Sequence, residues 1–138
     1  MCSYFLFSAV LISGGFNWNF KKSPTPSCEI WTPSGKTCDV KDMTKGRGRH
    51  VQFTVGRKAV VCGEDNTCET LDNGQWKPSY KMRKERRHST VWTTDDSSFI
   101  IGGVSSMQST ERIFDNGTVA EGFKLTFVHK TRYSKVFY

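Results

Sequence analysis

Hydrophobic residues in this chain gather in short runs that each end at glycine. A run that is apolar throughout, rather than alternating with polar positions, is typical of a β-strand buried on both faces. The glycine after the run supplies the backbone freedom that a sharp turn requires. The pattern therefore predicts three buried strands, in AVLISGG (9–15), AVVCGE (59–64) and SFIIGG (98–103).

A glutamate-centred segment follows each apolar run, after a polar loop of variable length. The three segments are CEIWTPSG (28–35), CETLDNG (68–74) and ERIFDNG (111–117). Two of the units also begin alike, with RHVQFTV (49–55) and RHSTVWTT (87–94). Landmarks that recur in one order at nearly constant spacing indicate an internal repeat of about 40 residues.

Each repeat is predicted to contain four short strands. The segments VQFTV and STVWT are rich in β-branched and aromatic residues, as strands are. The DNG sequences at 72–74 and 115–117 predict tight turns, because Asn and Gly accept positive φ. No segment has the periodicity of a helix of convincing length. The sequence thus predicts an all-β fold of about three four-stranded antiparallel sheets.

The repeat divides the chain into units. The first unit, 1–48, is expected to be incomplete at its N-terminal side, and the second and third are 49–86 and 87–125. Residues 126–138 match no unit well, so they form either a tail or the first strand of a fourth sheet.

The opening segment allows two interpretations. Its longest apolar stretch, YFLFSAVLI (4–12), is far shorter than the roughly 20 residues of a membrane-spanning helix, so no membrane span is expected. As the centre of an export signal it lacks a preceding Lys or Arg and a clear cleavage site. The repeat favours a strand in AVLISGG, although whether residues 1–15 also act as a signal stays open.

Sheets that are buried on both faces must stack on copies of themselves, as the blades of a β-propeller do. A buried strand ending in Gly-Gly, a polar loop, a glutamate strand and an aromatic residue after a turn resemble the kelch repeat. The resemblance covers roughly 5–125 and extends to the cysteine-containing kelch-like proteins of invertebrates. The middle unit shows it in VVCGEDNTCETLDNGQW, with Cys62 in place of the first glycine. The repeat landmarks are Gly14, Gly15, Gly63, Gly102, Gly103, Glu29, Glu69, Glu111 and Trp76.

The resemblance implies a partial kelch-type propeller of about three blades. Closed propellers have typically 4–8 blades, so the chain is expected to be a fragment of a larger propeller or an arc completed by further blades. Kelch propellers usually act as non-catalytic modules that bind another protein. The loops that vary between units, 16–27, 64–67 and 104–110, are the expected contact surface. The alternative is a fragment of a propeller-fold enzyme, an oxidase or glycan hydrolase, whose catalytic residues are missing.

Cysteine spacing bears on the compartment. Proximity along the chain suggests the pairs Cys28–Cys38 and Cys62–Cys68, with Cys2 left over, although four cysteines allow three connectivities. Disulfides would place the protein outside the cell, and free thiols would fit the cytoplasm. The NGT sequence at Asn116 is a candidate glycosylation site in an exposed turn.

Much of the net charge of +7 is concentrated in KMRKERRH (81–88), and the rest is scattered. This run completes no nucleic-acid-binding motif and lacks the periodicity of an amphipathic helix, so a solvated loop is favoured over a polyanion contact or an import signal. No nucleic-acid partner is predicted.

Candidate chemistry is sparse. His50 and His88 occupy matching places in two units, which favours a packing or hydrogen-bonding role between blades. The glutamate landmarks are expected to hydrogen-bond the backbone of a neighbouring blade. No Cys-x2-Cys pair, catalytic triad or phosphate-binding glycine loop is recognisable. We therefore predict no catalytic residue, no metal ligand and no cofactor.

Overall fold

The computed structural model describes residues 9–17, 22–35, 37–104 and 106–126. This part of the chain contains thirteen β-strands and no helix, so the all-β prediction is confirmed. None of its elements is a helix that is long and apolar enough to cross a membrane.

Eleven of the strands form three successive antiparallel sheets, which we call blades 1, 2 and 3. Blade 1 contains β1 (Val10–Ser13), β4 (Cys28–Trp31) and β5 (Thr37–Cys38), in that order across the sheet. A small hairpin of β2 (Phe16–Asn17) and β3 (Ser23–Pro24) lies between β1 and β4 in the chain. The predicted strand in AVLISGG is therefore present as β1.

Blades 2 and 3 are complete four-stranded meanders, in which each strand pairs with the next along the chain. Blade 2 consists of β6 (His50–Val55), β7 (Lys58–Gly63), β8 (Thr67–Asp72) and β9 (Gln75–Lys81). Blade 3 consists of β10 (Thr90–Thr93), β11 (Ser97–Ile101), β12 (Thr110–Phe114) and β13 (Val119–Glu121). Both have the strand content that the repeat predicts.

Strand β7 shows why its sequence is apolar without alternation. Val60 and Val61 are neighbours in the chain and both are fully buried. Successive side chains of a strand point to opposite faces of the sheet. Val60 belongs to a core cluster shared with Ile100 of blade 3, whereas Val61 belongs to a second cluster that Leu11 of blade 1 joins. Blade 2 is thus packed on both faces, as predicted.

We call the face of a blade that points to the previous blade its preceding face, and the opposite one its following face. The cluster between blades 2 and 3 contains nine buried residues. The cluster between blades 1 and 2 is smaller and centres on Met43, Val61 and Trp76. The three blades form an arc of sheets stacked face to face.

The DNG turn of blade 2 has the predicted conformation. Asn73 and Gly74, between β8 and β9, have φ of 50° and 73°. Two successive positive φ values match the turn that best joins the twisted strands of a hairpin.

Candidate functional site

The most structured polar site lies around Arg47, in the linker from blade 1 to blade 2. Its side chain is 1% exposed. The guanidinium donates to Glu69 Oε2 from Nε (3.1 Å) and Nη2 (2.9 Å). Nη1 also donates to the carbonyl oxygens of Gly63 and Thr67, each at 2.8 Å, and Nη2 donates to the Thr67 hydroxyl. The positive charge of Arg47 is thus paired with Glu69. The other donors of the guanidinium bond oxygen atoms at the end of β7 and the start of β8.

Arg86 forms the same site in blade 3. Its Nε donates to Glu111 Oε2 at 2.8 Å, and both side chains are about 2% exposed or less. Its Nη1 donates to the carbonyl oxygens of Gly102 (2.7 Å) and Ser109 (3.0 Å), and Nη2 donates to the Ser109 hydroxyl. Each element of the first site thus has a counterpart in the second: a glycine carbonyl, a hydroxyl residue and a carboxylate.

The second carboxylate oxygen of each pair holds the linker backbone. The Thr44 N–H donates to Glu69 Oε1 at 2.6 Å, and the Arg83 N–H donates to Glu111 Oε1. Glu69 and Glu111 thus bond backbone groups, as expected, but these groups belong to the linkers rather than to the strands of a neighbouring blade. Each arginine–glutamate pair clamps the linker before a blade to the loop between the second and third strands of that blade.

The sequence predictions did not include Arg47 and Arg86 as the partners of Glu69 and Glu111. A signal for them existed, because Arg47 and Arg86 each stand shortly before the first strand of a unit, and each unit also carries a glutamate landmark. The predicted equivalence of His50 and His88 is wrong. Arg47 and Arg86 fill the same site in their blades. The residues three positions after them are therefore the true counterparts, namely His50 and Ser89.

Glu29, the blade 1 landmark, behaves differently. It is exposed, and its carboxylate accepts the indole N–H of Trp31 at 2.8 Å. Within the described residues no arginine or lysine pairs with it. Its position in β4 nevertheless matches Glu69 and Glu111, because Cys28, Cys68 and Thr110 each pair with the last residue before the glycine turn.

The same register places the glycine landmarks in two columns. Gly63 follows directly on Cys62, so Gly63 corresponds to the first glycine of the pair in the other units. The prediction that Cys62 replaces that glycine is wrong, because Cys62 is a strand residue opposite Cys68. Glu64 instead replaces the second glycine, and it has a φ of 70°. The first column is Gly14, Gly63 and Gly102, and the second is Gly15, Glu64 and Gly103.

Glu64 organises the loops at this end of the arc. Its Oε2 accepts the N–H groups of Gly48 (3.2 Å) and Arg49 (2.8 Å), and its Oε1 lies 3.0 Å from Arg49 Nη2. The Arg87 guanidinium donates to its backbone oxygen at 2.9 Å. Partial burial acts to raise the pKa of Glu64. The hydrogen bonds from Arg49 and Gly48, together with the positive charge of Arg49, outweigh burial and hold the pKa below its ordinary value.

His50 forms a bridge between blades 1 and 2. Its Nε2 lies 3.1 Å from the Ser13 hydroxyl, which donates to Gln52 Oε1 at 2.6 Å. Its Nδ1 is buried with no hydrogen-bond partner. A catalytic serine–histidine pair needs a third group that orients the imidazole, and His50 lacks one at Nδ1. The expected hydrogen-bonding role between blades is therefore confirmed for His50.

Protonation of His50 should weaken the fold. Burial lowers the pKa of His50, and the Arg47 charge lowers it further. The unfolded chain then binds this proton at a higher pH than the folded chain, so stability is retained above about pH 6.5 and falls below it. Urea unfolding at pH 7 and pH 5 should show a smaller loss of stability for His50→Gln than for the wild type. Equal losses would contradict this assignment.

The cysteines are arranged only partly as predicted. Cys62 and Cys68 are paired in register and form a buried disulfide. The predicted Cys28–Cys38 pair is wrong, because Cys28 is a free thiol whereas Cys38 is in a disulfide. Cys38 lies opposite Ile30, which places Cys28 two residues along the neighbouring strand, roughly 7–8 Å away. A disulfide cannot span that distance without backbone movement.

Disulfide mapping should reproduce this arrangement. Alkylation under denaturing, non-reducing conditions should label Cys28, and the tryptic peptide 59–81 should carry both Cys62 and Cys68 unlabelled and oxidised. In the native protein, Cys28 should react slowly with the alkylating reagent, because its thiol is half-buried and burial raises the pKa of the thiol. A cross-linked product of peptides 23–36 and 37–41 would restore the original prediction.

Trp76 and Asn116 lie at different places in the arc. Trp76 is buried in the cluster between blades 1 and 2. Asn116 is exposed in the turn between β12 and β13, where its Oδ1 accepts the N–H of Thr118 at 2.9 Å. The candidate glycosylation site is therefore accessible, and it lies at the end of blade 3 opposite to the glycine turns.

The basic run 81–88 is not uniformly solvated, contrary to the favoured prediction. Met82 and Arg86 are buried, and Arg87 is 41% exposed and lies 2.8 Å from Glu85. One positive charge of this run, that of Arg86, is thus buried inside the fold. Lys81, Arg83 and Lys84 remain exposed.

The described residues contain no group of three or more His, Cys, Asp or Glu side chains placed to hold a metal ion. The sites that are present are clamps between loops.

No protein-family model matches the chain, and no curated protein matches it. A solved structure titled "Structure of YjhT" is similar in fold, with a TM-score of 0.73 at 12% sequence identity. The likeness covers 86% of this chain and 50% of that chain, so this chain spans about half the length of that structure. At this identity the comparison shows the fold alone: an all-β arc of stacked four-stranded antiparallel sheets.

Proposed function

We propose that this chain is a non-catalytic, kelch-type protein-interaction module that forms part of a larger propeller. The partner is another protein, held by the loops between the second and third strands of the blades. The observation that carries the proposal is the repeated arginine–glutamate clamp. It fixes two loops of different length at one end of the arc, where sequence variation between units does not disturb the sheets.

The loops at this end are joined to each other as well as to their own blades. The Gly15 N–H donates to the Arg47 carbonyl at 2.8 Å, and the Val104 N–H donates to the Arg87 carbonyl at 2.9 Å. Arg49 and Arg87 both contact Glu64, which belongs to the middle loop. A surface whose loops are braced in this way is pre-organised, and pre-organisation lowers the entropic cost of binding.

One feature supports an extracellular location. The Cys62–Cys68 disulfide is buried, and such bonds persist in oxidising compartments. A glycan on Asn116 would sit on the end of blade 3 remote from the loop 104–110. It would leave the proposed contact surface free.

Site-specific photo-crosslinking tests the proposal. A benzophenone amino acid replaces Val104, which is 57% exposed in the third loop, or Asn73, which is exposed at the opposite end of the arc. Irradiation in extracellular fluid of the source organism should give a discrete protein adduct at position 104 that unlabelled wild-type protein competes away. No adduct at 104, or equal adducts at both positions, would overturn the proposal.

A further inference from the structure

A groove of about 550 Å³ lies between blades 2 and 3, on the side of the arc that carries Asn116. Its walls include the turn between β6 and β7, strand β9 and the turn between β12 and β13. The two turns approach each other closely, because a Cβ built on Gly56 would lie 3.8 Å from the Cβ of Asp115. The volume is within the range of pockets that bind small molecules, about 300–1,000 Å³.

One aromatic side chain and several hydrogen-bonding groups line the groove. The Tyr80 ring packs against the core cluster between blades 2 and 3, and it is only partly buried. Burial raises the pKa of Tyr80, and the negative charge of Asp115 raises it further, so the hydroxyl group stays protonated and can donate. Ser79 and Asn116 add a hydroxyl and an amide to the lining. A sugar ring has an apolar C–H face and a rim of hydroxyl groups, so it matches a wall of this composition.

The charges of the groove are nearly balanced, which favours a neutral ligand over an anionic one. The lining contains three cations and two acids, namely Arg57, Lys58, Lys77, Asp72 and Asp115. Lys58 and Lys77 both lie beside Asp72, with distances from Nζ to the carboxylate of 3.4 and 3.2 Å. An anion would have to compete with this carboxylate for the two lysines, whereas a neutral sugar does not.

Asn116 is part of the wall, and it is the acceptor of the NGT sequon. Its Oδ1 accepts the N–H of Thr118 at 2.9 Å, which fixes the plane of the side-chain amide. Its Nδ2 has no hydrogen-bond partner among the described residues. An N-linked glycan is attached through Nδ2, so the first sugar of a glycan on Asn116 begins at the edge of the groove.

We propose that this groove binds the first sugars of an N-linked glycan on Asn116, which thereby bridges blades 2 and 3. In the attachment step, Nδ2 of Asn116 forms a bond to the anomeric carbon of a lipid-linked oligosaccharide and loses one proton, and the lipid diphosphate leaves. The N-acetylglucosamine ring then packs on Tyr80 of blade 2 while blade 3 holds it covalently. This inference rests on the proposed extracellular location and is independent of the proposed protein contact.

Thermal unfolding of protein secreted from insect cells tests the bridge as a double-mutant cycle. The four proteins are the wild type, Thr118→Ala, which removes the sequon, Tyr80→Leu, which keeps an apolar contact with the core, and the double variant. With Tyr80 present, the glycan should raise the unfolding midpoint by about 2–4 °C. In the Tyr80→Leu background this rise should be lost, because the sugar has no aromatic face to pack on. Tyr80→Phe keeps the ring and should retain most of the rise.

Two controls separate a contact in the groove from a general effect of glycosylation. The same four proteins made in bacteria carry no glycan and should show no coupling between positions 80 and 118. Val104→Asn forms a sequon with Ser106, so combining it with Thr118→Ala moves the glycan to an exposed loop away from the groove. The moved glycan should not raise the midpoint.

Mass spectrometry of the secreted wild type should find the glycan on Asn116, and an unmodified Asn116 would overturn the proposal. An equal rise in the Tyr80→Leu background, or from the moved glycan, would also overturn it. Photo-crosslinking at position 104 does not depend on any of these outcomes, so failure of the bridge and failure of the protein-contact proposal can be told apart.

Discussion

Glu69→Ala is expected to lower the free energy of unfolding by about 3–5 kcal/mol. The substitution leaves the Arg47 guanidinium, 1% exposed, without the carboxylate that neutralises it. It also removes the acceptor of the Thr44 N–H, which holds the linker. A buried charge without a partner is among the most destabilising changes a fold can suffer. Chemical denaturation in urea measures the effect directly.

Two controls separate the clamp from a general effect of losing a carboxylate. Glu85→Ala removes an exposed partner of Arg87 and should change stability by about 0–1 kcal/mol. Glu69→Gln keeps a side-chain acceptor for the linker but removes the charge, so its loss should lie between the other two. If Glu69→Ala were no more destabilising than Glu85→Ala, the clamp would have no energetic role.

Ile100→Ala is expected to destabilise the protein by about 2–5 kcal/mol. Ile100 is fully buried in the cluster that joins blades 2 and 3, and neither blade can close the space that the missing methyl groups leave. The unfolding midpoint in urea should fall while the slope of the transition stays the same, since the fold is retained.

The comparison for Ile100→Ala is Val104→Ala in the same blade. Val104 is 57% exposed in a loop, so its truncation should change stability by no more than about 0.5 kcal/mol. A similar small effect for Ile100→Ala would show that the two blades do not share a core at this position.

The sequence was sufficient to predict the strands of blades 2 and 3 and the stacking, whereas the β2–β3 hairpin lies in a segment predicted as a loop. The run around Val60 and Val61 is apolar at successive positions, a pattern that is typical of a strand packed on both faces. The spacing of Glu69 and Glu111 likewise fixed the repeat, because the glutamates occupy one place in each sheet.

The burial of the two arginines and the free state of Cys28 could not be predicted from the sequence. Arginine is usually a surface residue, so the recurring positions of Arg47 and Arg86 did not by themselves indicate that these side chains are buried against carboxylates. Matching letters aligned His50 with His88, a shift of one residue that only strand register corrects. Proximity along the chain suggested Cys28–Cys38, but pairing depends on which residues face each other across β4 and β5.

The central claim is that successive sheets stack face to face, with neighbouring side chains of β7 in different interfaces. Methyl-to-methyl nuclear Overhauser spectra of protein labelled at Ile, Leu, Val and Met test it most directly. Val60 should show cross-peaks to Ile100 or Ile113, and Val61 should show cross-peaks to Leu11 or Met43. Cross-peaks from Val61 to Ile100, or from both valines to the same blade, would contradict the stacked arrangement.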